Sequence, residues 1–205
     1  MSSGCSTVIS LHGNAPGDFR RAVDLARDGQ QYAADSSQII RLAANGEARA
    51  LAKLGDRRGV DGAVGRAFEI SDRLDAPAGV SPCISFGLYS TARTAANAAT
   101  AFVALRRPDR VREYVAQVMP VFEASSSRWS QSLVRMDMAT AFVTADHPEP
   151  ERGAELVTEA LMISADRPIT SVLQRGREFL AATEKWSGLP AVRQAADALR
   201  AAGNR

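Results

Sequence analysis

Four side chains in this sequence are cysteine or histidine, the strongest zinc ligands: Cys5, His12, Cys83 and His147. A structural zinc site needs four donors, usually supplied as two closely spaced pairs. Cys5 and His12 form one such pair near the start, and no second pair follows. His147 stands in ADHPEP, a turn in which a solvated histidine is expected. None of the patterns HExxH, SxxK or GxSxG occurs, so no metalloprotease or serine-type hydrolase is written in the chain. The remaining chemical possibility is GDRRGVDGAVGRAFE, residues 55–69, with glycines at 55, 59, 62 and 65. A phosphate-cradling loop follows a strand, and its Walker form ends in Lys-Ser or Lys-Thr. Here a helical apolar pattern precedes the glycines and no such pair follows. The stretch is therefore expected to join two helices. Gly62 and Gly65 fall inside the second of them, at a cost of about 1 kcal/mol each relative to Ala, and are expected to admit a closely packed partner helix. The expectation is a non-enzyme with no catalytic residue, no metal and no cofactor.

The elements that would carry any function are helical. The chain has 205 residues, 45% hydrophobic but only 6% aromatic. Such a chain is large enough to bury a sizeable core, here between Ala-rich helices that approach closely. Net charge is +2, and acids interleave with the arginines, as in Arg110–Val111–Arg112–Glu113. Nucleic-acid binders carry a concentrated basic stripe, so direct nucleic-acid binding is not expected. Neither a signal peptide nor a membrane-spanning run is present, and two cysteines make no disulfide framework. A cytoplasmic location, with reduced thiols, is expected.

Apolar residues recur at helical spacing in segments near 18–34, 36–54, 60–74, 89–105, 109–119, 127–145, 151–165, 170–186 and 190–202, which predicts about nine or ten helices and no sheet. Asp18, Ser36 and Ser127 suit helix starts, Pro108 a first helical position, and Gly55 a helix end. Pro120 is expected to end or kink its helix. The turns near 108, 148 and 188 lie about forty residues apart, the spacing of an α-solenoid of stacked antiparallel hairpins. Residues 1–16 form a short N-terminal segment, and 17–205 the helical repeat domain.

LAKLGDRRGVDGAVGRAFEI and MATAFVTADHPEPERGAELVTEAL resemble tetratricopeptide repeats. The shared positions are Ala48, Leu51, Gly55 and Ala63; then Ala99, Phe102, the 107–109 turn and Val111; then Ala139, Phe142, the 146–150 turn and Ala154. GREFLAATEKWSGLPAVRQAADALR is similar to the C-terminal end of actinomycete-type regulators. In that family a Cro/repressor-type (XRE) helix-turn-helix domain precedes degenerate tetratricopeptide repeats. No DNA-binding part is visible before residue 17, so a truncated or divergent member is expected.

The resemblance implies a regulatory module that binds a protein or peptide along the polar positions of its first helices. Aligning the turns places Asn45, Arg49, Lys53, Arg93 and Arg135 there, a positive set suited to an acidic peptide or a carboxylate. The alternative is a DNA-binding regulator, acting directly or with a separately encoded helix-turn-helix partner. The helix at 18–34 is expected to be the second of an incomplete hairpin, with Phe19, Ala22, Val23 and Ala26 shielded only by residues 6–12. Phe19 and Val23 are accordingly expected to mediate self-association, as in a homodimer.

Overall fold

The structure, a computed structural model, describes residues 16–33, 36–79, 89–167 and 169–203. Cys5, His12, Cys83 and the segment 6–12 lie outside the described residues. Regular structure among those described is entirely helical. After α1 (Pro16–Tyr32), α2 (Gln38–Arg41), a π-helical turn (Leu42–Glu47) and α3 (Ala48–Lys53) run on without a break. Then come α4 (Arg57–Arg73), α5 (Thr91–Ala104), α6 (Pro108–Glu123), α7 (Arg128–Thr144), α8 (Pro150–Ile163) and α9 (Thr170–Ala182). A 3-10 turn (Glu184–Trp186) leads into α10 (Pro190–Gly203).

The punctuation follows local chemistry. The chain leaves α3 through Gly55 at φ 75°, where Asp56 N–H donates to Leu51 O at 3.0 Å and Gly55 N–H to Ala52 O at 3.0 Å. This paired arrangement satisfies the last carbonyls of the helix. Asp56 then caps α4 by accepting from Gly59 N–H at 2.9 Å. The same paired ending closes α5 with Arg106 at φ 52°, a left-handed conformation that glycine would adopt without strain. Ser90 and Ser127 accept from Arg93 and Ser130 N–H at the starts of α5 and α7. Pro120 does not end α6, which runs on to Glu123. The carbonyl that Pro120 leaves without a donor belongs to Ala116 on the exposed side, while Val118 and Phe122 hold the last turns in the core.

Packing sets the helices in pairs. α3 packs on α4, α5 on α6, α7 on α8 and α9 on α10. Across pairs, α3 meets α5, α5 meets α7, α7 meets α9, and α8 meets α10. α1 rests on the π-helical turn and α3. The interfaces are thin because they are made of alanine: Ala92, Ala95, Ala98, Ala99 and Ala101 are all buried on α5. Tyr114 stacks between Phe102 and Phe68, with ring centroids 5.7 and 6.0 Å away. α7 serves two core clusters, Val134 and Ala141 facing one and Met136, Ala139 and Val143 the other.

Two expectations need correction. Val23 is 4% exposed and lies in the core cluster with Ala48 and Leu51, because α1 docks on α3. It is not an open face for self-association; Phe19 is half-buried. Gly62 and Gly65 are exposed, and no partner helix approaches them: a Cβ at Gly65 would meet nothing within 4 Å, and one at Gly62 only the Arg66 side chain. The glycines that admit a close neighbour are elsewhere. A Cβ at Gly153 would stand 3.0 Å from the Ala139 carbonyl and 3.0 Å from the Phe179 ring, and one at Gly46 would stand 3.1 Å from Ala26 Cβ. Gly153→Val is expected to destabilise the fold by about 1–3 kcal/mol, because backbone cannot yield as a side-chain tip can. Gly65→Ala is expected to stabilise it by up to about 1 kcal/mol. Urea unfolding of both variants checks the pair; equal effects of one sign would contradict the packing.

Candidate functional site

Helical spacing builds the site. Arg41, Asn45 and Arg49 follow one another at four-residue steps along α2, the π-helical turn and α3. Arg93, Asn97 and Thr100 follow at steps of four and three along α5. Side chains so spaced share a helix face. Trp129, Leu133 and Asp137 take four-residue steps on α7, and Arg175 reaches in from α9. With Tyr89, Ala96, Phe122, Ser130 and Val134 these residues line a cavity of about 230 Å³.

A network anchors one side. Arg175 Nη1 donates to Asp137 Oδ1 at 2.5 Å and to Leu133 O at 3.1 Å, and its Nη2 donates to Thr100 Oγ1 at 3.2 Å. Thr100 Oγ1 lies 2.7 Å from Asp137 Oδ2 and donates to it. The Asp137 side chain is 5% exposed, so these bonds replace its water. α5, α7 and α9 are thereby joined through one carboxylate.

The other side is different. Arg49 donates from Nη1 to Asn45 Oδ1 at 2.8 Å and makes no ion pair among the described residues. Burial, reinforced by the neighbouring Arg175 charge, pulls its pKa down to about 10, against the pull of Asp137 and Tyr89. Burial likewise lowers the Arg93 pKa and pushes the Tyr89 phenol up to about 12. Asn97 Nδ2 donates to the Tyr89 hydroxyl and to Arg93 O, and the Arg41 guanidinium lies 5.5 Å from the centre of the Tyr89 ring. Trp129 has its indole Nε1 buried, with no acceptor among the described residues. At neutral pH Arg49 therefore stays protonated and Tyr89 a neutral phenol, beside a carboxylate bonded to Arg175 and Thr100. That set suits the holding of an anion.

Of the five residues expected from the sequence, Asn45, Arg49 and Arg93 meet at this cavity. Lys53 is exposed at the end of α3 and does not line it. Arg135 points elsewhere. It bonds Glu123 at 3.0 Å on α6 and Glu159 at 3.3 Å on α8. The reason is register: at about 100° per residue, Arg135 lies some 200° around α7 from Leu133 and Asp137. Sequence reasoning missed Arg41, Asn97, Thr100, Trp129, Asp137 and Arg175. The three- and four-residue polar steps through Arg49 and Arg93 could have found Arg41, Asn97 and Thr100. His147 is exposed in its turn, and no metal-binding group of His, Cys, Asp and Glu occurs among the described residues. None of the described helices is long and apolar enough to cross a membrane.

A second polar cluster gathers on the π-helical turn. Glu47, 1% exposed, accepts from Arg27 Nε at 2.8 Å, Gln30 Nε2 at 2.8 Å and Arg66 Nη2 at 2.9 Å. Burial alone would raise the carboxyl pKa, but the three donors outweigh it and hold the pKa below the usual range. These donors belong to α1 and α4, so the cluster ties α1 to the body.

The fold and site together define an all-helical protein with an arginine-lined cavity. Comparison of the chain with protein-family models, curated proteins and solved structures gave no match to any of them.

Proposed function

We propose that the chain is a tetratricopeptide-like solenoid of antiparallel hairpins that binds an acidic protein or peptide partner in a regulatory role. One observation carries the reading. The first helices of successive pairs, α3, α5, α7 and α9, meet one another and together line the arginine-bearing cavity. A partner lying across these helices would run its acidic groups past Arg41, Arg49 and Arg93. The resemblance to the repeat region of XRE-type regulators supports a sensory or assembly role rather than catalysis.

Peptide display against the full chain tests this. Enriched peptides are expected to be acidic, and to lose binding to Arg93→Glu while keeping it with Arg200→Glu on α10, far along the chain from the cavity. Enrichment without acidic residues, or equal loss with both variants, would contradict the reading.

A further inference from the structure

The cavity holds more donor capacity than the chain uses. A guanidinium has five N–H donors, and among the described residues Arg49 spends one, on Asn45, and Trp129 Nε1 finds no acceptor. The one carboxylate in the wall, Asp137, is committed to Arg175 and Thr100. A half-buried cation with no ion pair among the described residues costs the fold stability, and an anion bound beside it would offset that cost. The surfaces between these donors are apolar: Ala96, Phe122, Leu133 and Val134.

We infer that the cavity binds a small free organic acid, its single carboxylate on Arg49 and its aromatic or branched body against Phe122, Leu133 and Val134. Size favours this ligand. The cavity of about 230 Å³ lies below the ~300–1,000 Å³ range of drug-sized sites and suits a small acid. Inorganic phosphate would satisfy Arg49 but leave the apolar walls uncovered. A neutral hydrocarbon would cover the walls and leave the cation uncompensated. The inference shares these arginines with the partner-binding reading, and the amide and peptide arms of the test below tell the two apart.

The test is calorimetric titration of the full chain with benzoate, phenylacetate, 3-phenylpropionate and isovalerate, each beside its amide, and with inorganic phosphate. At least one acid is expected to bind, and its amide not to. Binding is expected to weaken at least about tenfold in Arg49→Met and to persist, reduced, in Arg49→Lys. Without ligand, Arg49→Met is expected to melt higher than the parent, which separates loss of binding from loss of fold. In a Trp186→Phe background the acid should change Trp129 fluorescence. Equal binding of acid and amide, undiminished binding to Arg49→Met, binding of phosphate alone, or no binding by any acid would overturn the inference. If the acids fail while acidic peptides still bind the face, the inference falls and the partner-binding reading stands.

Discussion

Replacing Asp137 with alanine is expected to cost the fold about 3–5 kcal/mol, the scale for removing one partner of a buried ion pair. Three consequences follow from one deletion. Arg175, whose side chain is 16% exposed, keeps its charge and loses its counterion. Thr100 loses its 2.7 Å acceptor. The charges of Arg175 and Arg49, which already oppose each other, lose the carboxylate between them. Asp137→Asn should cost less, since an amide oxygen still accepts. The decisive measurement is a double-mutant cycle by urea unfolding. Asp137→Ala with Arg175→Met should recover most of the loss, because Arg175 no longer stands as a charge stripped of its counterion. Additive losses would show that the pair is not the link between α7 and α9. Hydrogen exchange should locate the damage in α9 and α10, which lean on α7 and α8.

Glu47→Ala is expected to cost about 2–3 kcal/mol, through loss of three hydrogen bonds to a charged acceptor. The cost is lower than for Asp137 because the stranded partners can return to water: the side chains of Arg27 and Arg66 are 54% and 49% exposed. Exchange of the α1 amides should accelerate first. The pH dependence has a definite sign. The folded carboxyl has a pKa below its ordinary value of 4.5, so its contribution is fully present above that value. It is lost as pH falls from 4.5 through the lowered folded pKa, where the proton must break the cluster. The difference in stability between the parent and Glu47→Gln should therefore shrink on acidification below about pH 4.5 and stay constant from there to neutrality. A constant difference down to about pH 2 would show that Glu47 does not carry the load assigned to it.

Helix positions were legible along the chain because they depend on local rules. Period-3.6 apolar patterning placed α1 and α4 to α10 within a few residues of their observed ends. Gly55, Ser127 and Pro108 act through local chemistry, so their roles at helix ends do not wait for a partner. Arg49 and Arg93 were likewise visible as polar positions on first helices. What the chain alone did not reveal was which neighbour each face meets. The π-helical turn at Leu42–Glu47 is joined to its surroundings by Glu47, whose donors come from α1 and α4. Arg135 and Asp137 stand two residues apart on one helix, yet one bonds glutamates on α6 and α8 and the other closes the cavity with Arg175. Their different fates rest on the rotation of α7 about its axis, set by packing Val134 on one side and Met136 on the other. Gly62 and Gly153 are both helical glycines, and only the approach of Ala139 and Phe179 makes the second a contact. Periodicity is a property of the chain; the meeting of two distant side chains is a property of the helices once packed, and that decided the cavity.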